Sequence, residues 1–151
     1  METSFKAAAD ADADALVEMM RDFNAHEAIA FDEREVRGVL ARLFADDSLG
    51  LACLILHGGE VAGYVVIAFG FSVEFRGRDA FIDELFVKDE YRGRGLGTAA
   101  VAFAEGVCRE RGVRALHLEV ERKNARAQSV YRRAGFLDHD RYLLTKWLDK
   151  K

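Results

Sequence analysis

Residues 90–103 read EYRGRGLGTAAVAF, three glycines and two arginines set between two apolar runs. The run before them, AFIDELFV (80–87), has the composition of a strand. The run after them carries Leu96, Ala100, Phe103 and Val107 at helical spacing to about Arg111. Strand, glycine-rich loop and helix together form an anion site. The first N–H groups of a helix have no internal partner and the dipole there favours negative charge. Glycine lets a ligand approach the backbone without a Cβ in the way. Arg92 and Arg94 add positive charge. The dinucleotide pattern G-x-G-x-x-G fails, because Thr98 stands where its third glycine belongs, and no Gly-Lys-Ser/Thr completes a Walker loop. The spacing present is Arg92-x-x-Gly95-x-Gly97.

The rest of the chain restricts the setting. Its 151 residues fit one domain, 1–151, and no proline, repeat or low-complexity linker marks a boundary. No apolar run approaches the roughly 20 residues of a membrane span, and the acidic N-terminus lacks the apolar core of a secretory signal. Cys53 and Cys108 sit singly in apolar stretches, which reads as two free thiols in a reducing cytoplasm. Net charge is −4 but unevenly spread: residues 88–133 hold 11 Lys/Arg against 6 Asp/Glu, and the remainder is acidic. That split suits an anionic ligand on one side and a cationic one on the other. It is not basic enough for nucleic acid.

The pattern predicts a short strand at 4–8, then a helix with Leu16, Met19, Met20 and Phe23 on one face, capped by Asp10 or Asp12. A second helix carries Val36, Val39, Leu40 and Leu43 behind a capping-box pair, Asp32 and Glu35. Strands follow at 49–57 and 61–75, joined by the turn His57-Gly58-Gly59-Glu60. A turn at 76–79 leads into the strand at 80–87. After the glycine-loop helix come a strand at 115–120, a helix at 125–134 closed by Gly135, and a last strand at 139–148. The crossover from 80–87 to 115–120 requires parallel pairing. The expected class is therefore α/β (α+β), a mixed, mostly antiparallel sheet of six to seven strands with about four helices on its faces.

Two motifs in order, IDELFVKDEYRGRGLG and LHLEVERKNARAQSVYRRAGF, resemble those of the GNAT superfamily of acyl-coenzyme A-dependent N-acetyltransferases, over about residues 60–148. Among its members the chain looks most like diamine and thialysine acetyltransferases, which share the 39-residue step from Arg92 to Tyr131. The resemblance implies a sheet splayed between its fourth and fifth strands. The pantetheine arm of acetyl-coenzyme A would pair there with the backbone of Leu85, Phe86 and Val87. The pyrophosphate would rest on the amides of Arg92, Gly93, Arg94, Gly95, Gly97 and Thr98. Asn124 would bond the pantetheine or the strand end, or cap the helix that follows it, or both. The implied reaction is direct acetyl transfer to the primary amine of a small molecule. A homodimer is implied as well, with no metal and no membrane or nucleic-acid partner.

Acetyl transfer requires a neutral amine, a donor to the developing oxyanion and a proton for the departing thiolate. A lysine-like amine of pKa about 10.4 is neutral in only about one molecule in a thousand near neutrality. Leu85 or Phe86 would offer the oxyanion a backbone N–H. Tyr131, at the position where the family's tyrosine lies beside the thioester sulfur, suits the acid, since a phenol near pKa 10 stays protonated. For the base, Asp83 and Glu84 are adjacent and point to opposite strand faces. Period 2 groups Asp83 with Phe81, Leu85 and Val87, an apolar set that would raise its pKa, although a bulge in this strand would blur the faces. The related enzymes carry a glutamate where this chain has Asp83, and a bridging water would extend the reach of the shorter side chain. Asn24, His26 and Glu27, with Phe69, Phe71 and Glu74 across the splay, are the candidate acceptor contacts. Two readings of other classes stay open: a coenzyme A-binding module without transfer activity, and a protein or peptide N-acetyltransferase.

Overall fold

A computed structural model describes residues 2–27 and 29–149, without the side chain of His26. The elements, in chain order, are β1 (Thr3–Ala7), α1 (Ala13–His26), α2 (Glu33–Ala45), β2 (Gly50–His57), β3 (Glu60–Ser72), β4 (Gly77–Val87), α3 (Leu96–Glu110), β5 (Ala115–Leu118) and α4 (Ala125–Arg133). Short 3₁₀ turns precede α1 at Asp10–Asp12 and α3 at Asp89–Tyr91. The strands form one sheet in sequential order, antiparallel from β1 to β4, with β5 parallel to β4. α3 makes the parallel crossover.

The two sheet faces carry separate cores. α1 and α2 cover one face, where Leu16, Met19, Met20 and Leu40 pack on Leu54, Tyr64, Val66 and Phe86. α3 covers the other, where Leu96, Ala100, Val101 and Ala104 pack on Ile55, Val65, Ile67 and Ile82. Both faces of β2 and of most of β3 are thus buried, which is why these strands read as continuous apolar runs, whereas β4 leaves Arg78, Phe81 and Asp83 exposed. Close backbone approach fixes the centre of the sheet: a Cβ on Gly63 would stand 2.1 Å from the carbonyl oxygen of Phe86.

Several sequence expectations are corrected. The sheet has five strands among the described residues, not six to seven, because residues 139–148 form no strand. A strand needs a neighbouring strand for its backbone groups, and among the described residues no strand pairs with this segment. It is held at its base instead, by the ion pair of Arg141 with Glu74 and by Arg122 over the ring of Tyr142 at 5.2 Å. The β3–β4 turn lies at 73–76 rather than 76–79. The Ser72 hydroxyl accepts from Phe75 N at 3.2 Å and Arg76 takes a positive φ of 66°, so the chain reverses early. Asp32 caps α2 as expected, accepting from Glu35 N at 3.3 Å. Asp12 is the N-cap residue of α1, but its carboxylate makes no capping bond to the helix and takes the Lys6 ammonium and Ala9 N instead, each at 3.0 Å. Val39 is exposed, so the apolar stripe of α2 is narrower than its spacing implied. Cys108, which falls off the Leu96–Val107 stripe on paper, is buried against the sheet because the covered face of α3 is wider than one stripe.

Candidate active site

β4 and β5 pair only from Asp79–Ile82 against Ala115–Leu118. β5 then ends while β4 runs on to Val87, so the strands part, and the splay lies where the family resemblance put it. Asp83, Glu84 and Leu85 of β4 wall this cleft on one side, and Glu119 to Glu121, beyond β5, on the other. Asn124 and Tyr131 close it from α4, and Phe23 and Glu27 from α1.

The wall on β4 is irregular. Val66 of β3 pairs with Glu84 and Ile67 with Ile82, leaving Asp83 as the extra residue of a β-bulge. The phase of side chains therefore changes at Asp83. Ile82, Leu85 and Val87 join the α3 core, whereas Glu84 lies with Tyr64, Val66 and Phe86 toward α1. This overturns the period-2 grouping of Asp83 with Phe81, Leu85 and Val87. Asp83 has no partner residue on β3 or on β5, and its side chain is exposed to the cleft. Desolvation still raises its carboxyl pKa, since the walls displace bulk water without sealing the group.

Glu84 is half-buried. Its Oε1 accepts the Tyr64 hydroxyl at 2.7 Å. Burial raises the Glu84 carboxyl, the Tyr64 hydrogen bond lowers it, and the neighbouring charge of Asp83 raises it again, with burial the largest influence. Tyr131 is half-buried, edge-on to Phe136 with ring centroids 6.2 Å apart, and burial raises its hydroxyl above the ordinary phenol value. It stays protonated and can act only as a donor.

The glycine loop adjoins the same end of β4. Gly93 and Gly95 both have φ of 78°, in the left-handed region, and Gly95 is the N-cap of α3. The first paired amide of the helix is Ala99, which donates to Gly95 O at 3.0 Å. Among the described residues, the amides of Gly93 to Thr98 have no protein acceptor. A Cβ built on Gly93, Gly95 or Gly97 would meet nothing within 4 Å. Open space above unpaired amides at a helix start is what a diphosphate requires. The two arginines act on the loop itself. Arg92 Nε donates to Val87 O at 3.0 Å and pairs with Asp89 at 2.9 Å, while Arg94 lies over Tyr91 and donates to Glu90 O at 3.3 Å.

The other candidates divide. Asn124 caps α4, its Oδ1 accepting from Ala127 N at 3.0 Å, at the cleft edge. Glu27 lines the cleft. Asn24 turns back to donate to Met20 O at 2.7 Å, and the His26 side chain lies outside the described residues. Phe71 and Glu74 are not in the cleft lining. Phe71 is exposed opposite Arg78, and Glu74 is in the β3–β4 turn, bound to Arg141. Phe69 packs on the α3 side with Arg111 over its ring at 4.8 Å. Sequence reasoning passed over Tyr64 and the acidic pair Glu119 and Glu121 as site residues. A tyrosine inside an apolar strand is itself a signal, because a buried hydroxyl needs a partner. Among the described residues, no group of three or more His, Cys, Asp or Glu is placed to hold a metal ion. No helix of the described residues is long and apolar enough to cross a membrane.

Residues 13–136 match the family described as "Acetyltransferase (GNAT) family". Thialysine N-epsilon-acetyltransferase of Bos taurus is 33% identical over 82 residues, which is 54% of this chain and 48% of that protein. A putative [ribosomal protein bS18]-alanine N-acetyltransferase of Bacillus subtilis is 36% identical over 82 residues, 54% of this chain and 50% of that one. The chain thus spans about half the length of these curated relatives. Among solved structures, an integron cassette protein from the mobile metagenome of Cole Harbour Salt Marsh superposes with a TM-score of 0.84 at 34% identity, over 97% of this chain and 91% of that one. A predicted acetyltransferase from Clostridium acetobutylicum, solved with acetyl-CoA, has the same fold at 19% identity, with a TM-score of 0.79 and 99% of each chain covered.

Proposed function

Because this chain belongs to the Acetyltransferase (GNAT) family, we propose that it moves an acetyl group from acetyl-coenzyme A to a primary amine of a small molecule, by direct attack in a ternary complex. The observation that carries the acceptor class is the charge of the cleft. Glu27, Asp83, Glu84, Glu119 and Glu121 line it, and among the described residues no Lys or Arg does. Five carboxylates around one gap favour a cationic amine. The relatives' names, thialysine for one and an alanine of ribosomal protein bS18 for the other, both denote N-acetylation.

Acetyl-coenzyme A supplies the acyl thioester. The amides of Gly93 to Thr98 hold the diphosphate, and the free edge of β4 beyond Asp83, at Leu85 to Val87, takes the pantetheine. Glu84 first accepts the ammonium proton, directly or through water; the neutral amine then attacks, and as the C–N bond forms and the C–S bond breaks Tyr131 donates to the departing thiolate and recovers its proton from the second amine N–H. Asp83 holds the cationic acceptor beside them. The bulge puts Glu84 rather than Asp83 against the buried Tyr64, which gives it the fixed orientation that a base requires. We read the described residues as one catalytic domain, since both cores share the same sheet. Two buried free thiols, Cys53 pushed up to about 11 by burial and Cys108 raised likewise, support a reducing, cytoplasmic setting.

A homodimer fits the C-terminal segment. β5 is the last strand of the sheet and its outer edge is unpaired among the described residues. Leu143, Leu144 and Leu148, farther along the chain, stand exposed. A second copy offering the same segment would cover both.

The test is release of free thiol from acetyl-coenzyme A with a panel of amines: thialysine, a polyamine, an aminoglycoside and an alanyl peptide. Release with a cationic small amine is expected. Release with the peptide alone moves the acceptor to protein, and tight coenzyme binding with no release from any amine makes the chain a non-transferring module.

A further inference from the structure

Tyr64 is the one hydroxyl in the buried layer of β3 that reaches the cleft's chemistry. Its ring has no exposed surface, and it packs on Phe86 with centroids 5.8 Å apart and on Phe23 of α1 at 6.5 Å. A phenol so enclosed must find a hydrogen-bond partner, and it finds Glu84 Oε1 at 2.7 Å. Glu84 in turn reaches Tyr64 only because the bulge at Asp83 shifts the strand's phase. Without it, Glu84 would share the α3 face with Ile82. The contact therefore joins an immobile donor in the core to a carboxylate that also lines the cleft.

We infer that Tyr64 is a positioning residue for transfer: its hydroxyl fixes one oxygen of Glu84 and leaves the other to meet the acceptor amine. The inference rests on the reading of Glu84 as the base. Burial and the adjacent carboxylates hold the Tyr64 phenol far above its ordinary value, so it remains a donor throughout the working range of pH. A donor to the ionised carboxylate favours that form and works against the upward push of burial. The other ionisable groups around the cleft are Asp83 on β4, Glu27 at the end of α1, Glu119 and Glu121 after β5, and Tyr131 on α4. Of these, the Asp83 charge raises the Glu84 carboxyl, in the opposite sense to Tyr64, so it does not make good the loss of Tyr64.

The test compares wild type, Tyr64→Phe and Glu84→Gln with two readouts. One is the pH profile of kcat/KM with acetyl-coenzyme A and whichever acceptor of the panel is turned over fastest. The other is the ¹³C carboxyl titration of Glu84, assigned by its loss in Glu84→Gln. Tyr64→Phe is expected to move the acid-side midpoint of both upward by about one pH unit. A purely structural tyrosine would lower melting temperature and leave both midpoints in place, and that result overturns the inference. Should Glu84→Gln be inactive while the Tyr64→Phe profile is unmoved, Glu84 stands as the base and Tyr64 does not position it. If the carboxyl titration moves but Glu84→Gln keeps full activity, Glu84 is not the base and the positioning role falls with it. A protein inert with every acceptor overturns both readings. If Tyr64→Phe does not fold, 3-fluorotyrosine at position 64 replaces it: the stronger donor should move both midpoints down, and no movement overturns the inference.

Discussion

At the scale of single residues, the cleft separates two kinds of titrating group. Tyr131 is raised by burial and holds its proton, whereas Glu84 is raised by burial but restrained by Tyr64. Tyr131→Phe removes a donor while keeping the ring against Phe136. Turnover is expected to fall about 10²-fold, with coenzyme affinity from calorimetry nearly unchanged; equal turnover would remove Tyr131 as the acid. Glu84 carries a stability consequence of definite sign. Its folded-state pKa lies above the ordinary 4.5, so as pH rises the unfolded chain releases this proton first. The ionised form therefore weakens the fold from about pH 4.5 upward, and below that the two states bind the proton equally. Glu84→Gln retains an acceptor for Tyr64 without the charge. It should melt about 2 °C above wild type at pH 7, with the gain gone near pH 4. A gain that persists at acid pH would contradict the raised value.

At the scale of elements, the loop before α3 and the bulge in β4 do most to make the site. Gly95 caps α3 at φ 78°, with open space where a Cβ would stand. Gly95→Ala is expected to cost about 1 kcal/mol in denaturant unfolding, from the left-handed backbone alone. Gly95→Asp adds bulk and negative charge above the unpaired amides, and should weaken coenzyme A binding at least about tenfold beyond the alanine variant. Equal affinity in the two variants would remove the diphosphate from this loop. The bulge matters for the other half of the chemistry, because it is the reason two consecutive carboxylates meet different surroundings. Asp32 is a simpler case: loss of its bond to Glu35 N in Asp32→Ala should destabilise α2 by about 1 kcal/mol, seen in the same unfolding experiment.

At the scale of the molecule, the sheet ends among the described residues at β5 with an open edge, and the C-terminal segment beyond α4 holds exposed leucines. Leu144 and Leu148 are 90% and 89% exposed. Light scattering on the eluting protein is expected to show twice the 16.9 kDa chain mass, and Leu144→Asp combined with Leu148→Asp should return it to the monomer. A wild-type monomer at micromolar concentration would overturn the dimer. Charge is organised at this scale too. The carboxylates of the cleft come from α1, β4 and the segment after β5, distant stretches of chain that meet only at the splay.

The local elements were legible from residue patterns because they depend on short-range physics. The spacing of Leu16, Met19 and Met20 marks α1, the Asp32 cap marks α2, and the glycines of residues 93–97 mark the start of α3. The motifs around Arg92 and Tyr131, spaced by one helix and one strand, were enough to identify the family. Long-range pairing decided the rest. A count of residues along β4 placed Asp83 with Leu85, but the register against β3 inserts Asp83 as an extra residue and hands Glu84 to Tyr64. A single slip reverses every following side chain, and it is fixed by partners on another strand, so the local pattern carries no record of it. The strand expected at 139–148 failed for the same reason: strands are made by neighbours, and no strand among the described residues pairs with it.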